Sequence, residues 1–208
     1  MLAIVDYDMG NVKSIANAFS LLGENVIVTD DPGELSKASG IILPGVGAFS
    51  DAISNLKKKN LISFLEKEVM EIKKPYLGIC LGLELLAKKS FEGGIHDGLG
   101  WINGTVEKIE PNTNTLKVPH MGWDDTSILK IGGLFKEIEN PIFYYLHSYY
   151  LKVDDSEKKY VTSVCDYGGV PIVATFQRDN IYAVQFHPEK SQSTGIKLLQ
   201  NFLDDIKK

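Results

Sequence analysis

The sequence predicts an α/β protein with three layers, α/β/α, in which a mixed, mostly parallel central sheet lies between helices. In the first third of the 208-residue chain, short apolar runs alternate with longer segments whose apolar residues recur every three or four positions. That alternation is typical of parallel strands connected by helices. From about residue 101 the runs become closely spaced and strand-like, so we expect part of the sheet to be antiparallel or mixed.

The N-terminal elements follow in order. Leu2 to Val5 is an apolar, β-branched run that predicts a buried strand. The next apolar positions, from Val12 to Leu22, have helical spacing, and Gly23 stands where a C-cap glycine is expected. Further strands are predicted at residues 26–28, 41–43 and 76–79, with one or two helices at 49–70. The order is βαβαβαβ, and its last strand ends at Cys80.

The second half predicts strands in the segments WINGTVEKI, IFYYLHSYYLKV, YVTSVCDY, IVATFQ and IYAVQF. A closing amphipathic helix is expected from about Ser193 to Ile206. Residues 93–94 and 112–114 are rich in Gly, Asn and Thr and predict loops. Because no repeat or linker divides the chain, we expect one domain covering residues 1–208.

Composition and charge exclude several classes of protein. The formal net charge is -5 and the pI about 5.4, so the protein repels nucleic acid and anionic membranes. No apolar run approaches the roughly 20 residues of a membrane span, and the N-terminus lacks the basic and apolar regions of a signal peptide. Two cysteines make no disulfide framework. We therefore expect a cytoplasmic protein with free thiols.

A cysteine flanked by glycines follows the fourth predicted strand. The segment GICLG, from Gly78 to Gly82, precedes the run LGLELLAKK, whose spacing predicts a helix at residues 81–89. This is the pattern of a nucleophile elbow, a sharp strand-to-helix turn that presents the nucleophile at the carboxyl edge of a sheet. At a helix N-terminus the dipole would favour the thiolate of Cys80. The alternative is a buried structural cysteine.

His187 and Glu189 form the second half of the predicted site. They follow the strand predicted at 181–186, and side chains two apart on extended backbone point to the same side. Pro188 keeps His187 out of the helical region. Glu189 can then orient the imidazole, whose other nitrogen takes the thiol proton. Alone, His187 could be a structural histidine and Glu189 a solvated turn residue. Together with the elbow they predict a catalytic triad of Cys80, His187 and Glu189.

With these motifs the chain resembles the class I glutamine amidotransferases, and among them the glutaminase subunits of imidazole glycerol phosphate synthase. GICLG and HPE are shared across that superfamily. The resemblance rests on DYDMGNVKS at 6–14, LPGVGAF at 43–49, GICLG at 78–82, VPHMGW at 118–123, LHSYY at 146–150 and QFHPEKS at 185–191. It covers nearly the whole chain in the same order and implies a flavodoxin-like, three-layer fold.

The resemblance implies how glutamine would bind and react. Cys80 would attack the side-chain amide, and the glutamyl thioester would be hydrolysed to glutamate after ammonia leaves. The N–H of Leu81 and an N–H from the loop Gly45, Val46 and Gly47 would form the oxyanion hole. The backbone around Ser148 and Tyr149 would hold the α-amino and carboxylate groups. The alternatives are a plain tight turn for the glycine loop and an ordinary aromatic strand for the tyrosine motif.

Three positions depart from the family pattern. Glu84 stands where the family usually has a glutamine that helps to bind the substrate. An ionised carboxylate only accepts hydrogen bonds, so the donor contact would be lost or would require protonation of Glu84. Asp8 replaces the usual glycine of the N-terminal motif, and Asp124 replaces the usual asparagine after the Gly-Trp pair. Both are expected near the partner surface, where they would alter the choice of partner.

The resemblance also implies a partner, a (βα)₈-barrel cyclase subunit that receives ammonia through a shielded channel within a heterodimer. The residues expected to face it are Asn11, Met121, Trp123 and Lys190, although Met121 and Trp123 could instead be core residues. No cofactor is implied. His96, His120 and His147 show no metal-ligand spacing, so no metal is expected, and Cys165 is interpreted as a buried thiol.

Three alternatives remain open from the sequence. A paralogous subunit could feed ammonia to an amidotransferase of surface sugars, which the changes at Asp8, Glu84 and Asp124 favour. A silent binding subunit could retain the triad but lose affinity for glutamine through Glu84. A cysteine hydrolase acting on esters or lactones would share the elbow and would not respond to a glutamine-like electrophile.

Overall fold

The computed structural model describes residues 1–207. Its α-helices are α1 (Val12–Leu21), α2 (Pro32–Lys37), α3 (Phe49–Lys58), α4 (Leu61–Leu65), α5 (Leu81–Glu84) and α6 (Gln192–Ile206). A π-helical segment, Glu66–Glu71, continues α4, and 3₁₀ helices lie at Gly133–Phe135, Asp155–Tyr160 and Pro188–Lys190. The strands are β1 (Leu2–Val5), β2 (Val26–Thr29), β3 (Ile41–Leu43), β4 (Tyr76–Ile79), β5 (Ala87–Ser90), β6 (His96–Asp97), β7 (Ile102–Lys108), β8 (His120–Asp125), β9 (Ser127–Ile128), β10 (Ile142–His147), β11 (Tyr149–Val153), β12 (Val161–Tyr167), β13 (Val170–Arg178) and β14 (Ile181–Val184).

An eight-stranded sheet in the order β2-β1-β3-β4-β14-β13-β12-β9 forms the centre of the molecule. The first five strands in that order are parallel to their neighbours, and the last three join by antiparallel pairing. A two-stranded sheet, β10-β8, and a four-stranded sheet, β11-β7-β5-β6, lie outside it. The predicted mixed, mostly parallel sheet is therefore confirmed.

The helices cover both faces of this sheet because the parallel strands are apolar on both faces. In β1, Leu2 and Ile4 belong to a core cluster with residues of α1 and α6. The alternate residues, Ala3 and Val5, belong to a second cluster with residues of α2, α3 and α4. All four are buried. This continuous apolar run is typical of a parallel strand covered on both sides, and it produces the three predicted layers.

The first helix begins and ends where the sequence predicts. The side chain of Asn11 accepts a hydrogen bond from the backbone N–H of Ser14 at 3.3 Å and caps the N-terminus. At the other end Gly23 has φ +72°. The N–H of Gly23 bonds the carbonyl of Ser20, and the N–H of Glu24 bonds that of Phe19, which is the Schellman arrangement. The path from β1 to β2 is therefore determined by local signals.

The predicted helix at residues 81–89 is wrong in its second half. Helix α5 ends at Glu84, and residues 87–90 form the strand β5. That strand pairs with β7 in parallel and with β6 in antiparallel fashion, and both Ala87 and Ser90 are buried. Pairing with β7 outweighs the helical preference of the run LLAKK, because tertiary contacts override local propensity.

Two other features of the second half were not predicted. Residues 120–125, within the PHMGW segment and beyond it, form strand β8, which pairs with β10. The run IFYYLHSYYLKV, predicted as strand, is interrupted at Ser148, and its two halves, β10 and β11, belong to different sheets. Among residues 1–207, no helix is long and apolar enough to cross a bilayer.

Candidate active site

The elbow is a one-residue turn at Cys80, between the end of β4 and the start of α5. Cys80 has φ +54° and ψ -109°, a conformation that costs free energy for any residue with a side chain. A Cβ on Gly78 would lie 2.6 Å from the carbonyl oxygen of Gly82, and one on Gly82 would lie 1.9 Å from that of Leu43. Both positions therefore require glycine, because the backbone segments touch there.

The parallel pairing of β4 and β14 brings the two halves of the site together. Val184 pairs with Ile79, and the N–H of Cys80 donates to the carbonyl of Val184 at 2.8 Å. His187 follows three residues after that point, on the same edge of the sheet. Its Nδ1 donates to Glu189 Oε1 at 2.9 Å, and both side chains are buried. The structure thus places the three predicted catalytic residues in one region.

The imidazole of His187 interacts with charges on both sides. Burial acts to lower its pKa, but attraction to the Cys80 sulfur, together with the Glu189 carboxylate, raises the pKa to about 10. His187 Nε2 forms no other hydrogen bond within the described residues, and the Cys80 sulfur is near enough to raise the pKa of the ring. The ring of His187 is therefore protonated and cationic at neutral pH.

The short helix α5 changes one expectation about the nucleophile. A helix of four residues carries little of the dipole that a full helix provides, because the dipole is a sum over aligned peptides. The positive charge beside the Cys80 sulfur therefore comes mainly from His187. The residue Cys80 is 5% exposed. Its sulfur donates to the carbonyl of Leu146 at 3.8 Å and accepts from Gln185 Nε2 at 3.9 Å.

A cavity of about 280 Å³ opens beside Cys80. Six of its lining residues were predicted as substrate-binding: Val46, Gly47, Leu81, Glu84, Ser148 and Tyr149. Its remaining wall, apart from Cys80, consists of Glu92, Pro119, Leu146 and His147. Gly45 lies behind the wall, where a Cβ would be 2.6 Å from the Tyr7 hydroxyl oxygen and 2.7 Å from Leu81 Cβ. The cavity has the polar and apolar mixture expected of a small-molecule site.

Backbone donors are available at the elbow end of this cavity. Leu81 is the first residue of α5, and the first N–H groups of a helix have no partner within the helix. Gly47, in the loop after β3, has φ +103°, which turns the loop toward the cavity wall that it shares with Leu81. The two segments approach each other because Gly45 has no side chain.

Glu84 is buried in the cavity wall, with 5% of its surface exposed. Its Oε1 accepts a hydrogen bond from Gln185 Nε2 at 2.9 Å. Burial raises the pKa of Glu84 to about 8; the nearby charge of Glu92 adds to this, while Gln185 and His187 oppose it. The side chain therefore carries a proton at neutral pH, which is the condition under which it can donate a hydrogen bond.

The sequence did not reveal Glu92 or His147 as cavity residues. Glu92 Oε2 accepts from the N–H of Phe49 at 2.7 Å, and no local motif marks it, since it reaches the cavity from the loop after β5. His147 Nδ1 donates to the carbonyl of Tyr149 at 2.7 Å. Burial is the main reason that the pKa of His147 falls to about 3, so this ring is neutral. The LHSYY motif marked this segment in the sequence, but it did not indicate the role of His147.

Two of the residues expected at a partner surface, Met121 and Trp123, lie on β8 and are 65% and 47% exposed. The Trp123 ring meets the Tyr144 ring edge to face, with centroids 6.0 Å apart. Lys190 Nζ also contacts the Tyr144 ring, at 5.6 Å from its centroid. These residues form one surface, directly after the His-Pro-Glu segment. Asn11 is also exposed, although its side chain caps α1.

The two aspartates that depart from the family pattern both have partners within the chain. Asp8, with φ +66°, forms an exposed ion pair with Lys59 at 3.2 Å. Asp124 Oδ2 lies 3.2 Å from His120 Nε2. His120 stacks on Tyr145 and Tyr167, and burial lowers its pKa. Asp124 is therefore partly exposed at the surface and also contacts a buried histidine.

Cys165 lies on β12, which β13 separates from β14, the strand that precedes His187. Its sulfur, His120 and Asp124 have potential ligand atoms within 4.8 Å of one another, an arrangement that the sequence did not predict. Burial raises the pKa of the Cys165 thiol to about 12, which keeps it protonated and unreactive. His96 lies in the short strand β6, away from this group. Cys165 is therefore a buried thiol, and Cys80 is the candidate nucleophile.

The fold and the site define a class of protein: α/β enzymes with a cysteine elbow and a histidine-carboxylate pair on a neighbouring strand. The family model "Glutamine amidotransferase class-I" matches residues 3–206. The chain belongs to this family of glutamine amidotransferases.

Individual known proteins are similar to this chain over nearly its whole length. The chain is 46% identical to imidazole glycerol phosphate synthase subunit HisH 1 of Campylobacter jejuni (strain RM1221), over 98% of this chain and 99% of that protein. It is 46% identical to subunit HisH of Moorella thermoacetica, over 97% and 93%. A solved glutamine amidotransferase superposes with a TM-score of 0.75 at 18% identity, over 99% of both chains. At that identity the solved structure supports the fold alone.

Proposed function

We propose that this chain is the glutaminase subunit of imidazole glycerol phosphate synthase. It hydrolyses glutamine to glutamate and ammonia, and a (βα)₈-barrel cyclase subunit uses the ammonia to make imidazole glycerol phosphate and AICAR in histidine biosynthesis. The observation that carries the proposal is the group Cys80, His187 and Glu189 beside a cavity of about 280 Å³. Identity of 46% to such subunits over nearly the full length supports the choice of reaction.

In this mechanism the Cys80 thiolate attacks the carboxamide carbon of glutamine. The C–N bond breaks, His187 gives its proton to the departing nitrogen, and ammonia leaves a glutamyl thioester on the sulfur. Water, deprotonated by His187, then attacks the thioester carbonyl, releasing glutamate and restoring the imidazolium-thiolate pair. Glu189 holds the ring so that Nε2 faces the sulfur while Nδ1 donates to the carboxylate.

Both attacks produce an oxyanion, which requires donors fixed before the reaction. The N–H of Leu81 and an N–H of the Val46 and Gly47 loop are the donors that we assign to it, since these residues share the cavity wall with Cys80. Loss of one such donor typically costs about 3 to 4 kcal/mol of transition-state stabilisation. Gly45 contributes by allowing the loop to pack against Leu81.

Other residues of the cavity wall suit the amino acid part of glutamine. Backbone groups of Ser148 and Tyr149 would bind its carboxylate and amino groups, as the family resemblance implies. Glu92 lies in the same wall, and its carboxylate offers a charge partner for the α-ammonium group. No metal or cofactor takes part in this mechanism.

The surface of Met121, Trp123 and Lys190, with Asn11, is where we place the cyclase. Its exposed aromatic and basic side chains are of the kind enriched at protein interfaces. The surface continues from the His-Pro-Glu segment, and we propose that ammonia passes from Cys80 to the partner on this side. A shielded path matters because free ammonia is largely protonated in water at neutral pH. A biosynthetic role of this kind, with two free cysteines, implies a cytoplasmic protein.

The test is glutamate release by the complex with the cyclase and its ligand present. We expect the wild type to release glutamate and Cys80→Ala to release none above background. Mass spectrometry after exposure to a glutamine-like chloroketone should find one adduct, on Cys80. Matched Cys165→Ala should retain both activity and the adduct, since that thiol is buried and protonated.

A second candidate keeps the chemistry and changes the partner to an amidotransferase of surface sugars. The changes at Asp8 and Asp124 favour it. Purification of the native complex decides between the two, because each candidate requires a different associated protein. A silent binding subunit would leave the wild type at the rate of Cys80→Ala, with activity gained in Glu84→Gln.

A further inference from the structure

Glu84 is an acidic side chain in the cavity wall without a cationic partner. No lysine, arginine or histidine of residues 1–207 forms an ion pair with it, and its one hydrogen bond comes from the neutral amide of Gln185, at 2.9 Å. A buried carboxylate without an ion partner is strongly disfavoured, because desolvation penalises the charged form. Glu84 is 5% exposed, and it lines the wall of the cavity.

The groups around Glu84 do not supply the missing positive charge. The titratable side chains that face it from the neighbouring elements and the cavity are Cys80, His187, Glu92, Tyr7, His147 and Tyr149. His187 is the only cation among them, and it already pairs with the Glu189 carboxylate at 2.9 Å. Glu92 is a second carboxylate, and the His147 ring is neutral. The surroundings therefore favour a proton on Glu84.

We propose that Glu84 binds glutamine as a neutral carboxylic acid, donating its O–H to an oxygen of the substrate while its other oxygen accepts from Gln185. This rests on the proposed glutaminase function and adds a specificity-determining residue to it. A protonated carboxyl has one donor and one acceptor side, as a carboxamide has. Glu84 can in this form replace a glutamine side chain without loss of the donor, and it cannot when ionised.

The proposal has a consequence for the pH dependence of substrate binding. Above the pKa of Glu84, about 8, the donor is lost and a negative charge appears beside the substrate. Affinity for glutamine should then fall about tenfold for each further pH unit. Glu84→Gln keeps a donor at every pH and is therefore the matched control. The α-amino group of glutamine and His187 also titrate, but they do so in both proteins.

The experiment uses the complex with the cyclase and its ligand, and measures KM and kcat for glutamine from pH 6.5 to 9.5. We expect KM of the wild type to rise about thirtyfold more than that of Glu84→Gln over this range, with the ratio of the two kcat values nearly constant. Parallel KM curves would overturn the proposal, as would a large loss of activity in Glu84→Gln at pH 7. If neither protein releases glutamate at pH 7, the proposed function itself fails.

An independent measurement does not depend on turnover. Infrared difference spectra of the wild-type complex between pH 7 and 9.5 should lose the C=O stretch of a protonated carboxyl as Glu84 ionises. Addition of glutamine at pH 7 should shift that band, since the O–H gains an acceptor. A band that is absent at pH 7, or that glutamine does not move, contradicts the proposal even if Glu84→Gln fails to fold.

Discussion

His187 and His147 are both buried histidines, yet their charges differ because their partners differ. His147 donates to a backbone carbonyl, and burial, its largest influence, lowers the pKa to about 3. His187 has a carboxylate at 2.9 Å and an ionisable sulfur on its other side, which raise its pKa to about 10 against the effect of burial. Only a ring with such partners can hold a proton and then transfer it.

Removal of the Glu189 charge tests this account. In Glu189→Gln we expect the pKa of His187 to fall, since burial is then opposed by the sulfur alone, and kcat for glutamate release to drop about 10²- to 10⁴-fold. The His187 ring loses its proton as pH rises through its pKa. The rate of Cys80 alkylation, measured against pH, should therefore change where His187 loses its proton. In the variant this change should occur at lower pH.

The control for this substitution is Glu137→Gln, an acid-to-amide change at an exposed side chain that pairs with Lys197. It should leave both the rate and the pH profile unchanged. An unaltered profile in Glu189→Gln would mean that Glu189 does not set the charge of His187.

At the scale of elements, the close contact between β4, α5 and the end of β3 determines where the nucleophile stands. The backbone of Gly82 touches the carbonyl of Leu43, at the end of β3, and Gly78 touches Gly82. The positive φ of Cys80 persists because these contacts leave the chain no other path.

We expect Gly82→Ala to destabilise the fold by about 3 kcal/mol or more, because its Cβ would lie 1.9 Å from a backbone oxygen. The matched control is Gly23→Ala, where φ is +72° but no atom lies within 4 Å of the added Cβ. There only backbone strain remains, about 1 to 2 kcal/mol. Urea unfolding of the three proteins measures the difference, and equal losses would contradict the role of packing at the elbow.

The elements that the sequence predicted well are those whose signals are local. Strands β1, β3 and β4 match their predicted limits because a strand buried on both faces is a continuous apolar run. The start of α1 and Gly23 carry capping signals. Strand β5 was missed because its residues favour helix and only pairing with β7 makes them a strand. No sequence pattern records such a distant pairing.

The same distinction applies to the candidate site. The elbow and the His-Pro-Glu segment are short motifs with a mechanical reason for their spacing, so Cys80 and His187 could be predicted. Glu92 could not, because it enters the cavity from a loop without a pattern. The sequence showed that Glu84 is unusual, but its burial and the lack of a cation beside it required the structure.

At the scale of the whole molecule, the exposed apolar side chains are not equivalent. Met121 and Trp123 lie beside the segment that carries His187, whereas Ile131 is fully exposed and lies two residues before Gly133, where an added Cβ would meet Gln177. Gln177 pairs with Tyr182, near the beginning of β14 and away from the edge where Cys80 stands. The first surface lies beside the candidate site, and the second does not.

We expect Trp123→Ala to weaken binding of the cyclase by about 1 to 2 kcal/mol or more, which is at least about fivefold in Kd, because a large aromatic group at an interface carries much of the binding energy. Ile131→Ala is the control and should bind as the wild type does. Titration calorimetry with the purified cyclase measures both. A normal Kd for Trp123→Ala would place the partner on another surface.

The insertion of β14 between β4 and β13 also has a consequence for biosynthesis of the molecule. Cys80 is synthesised early. Strand β14, which precedes His187, is synthesised more than a hundred residues later. A ribosome-bound fragment therefore holds an unpaired thiol without glutaminase chemistry. Only a chain whose late strand β14 has paired with β4, at the edge of the early parallel strands, can release ammonia, so catalytic competence shows that folding is complete.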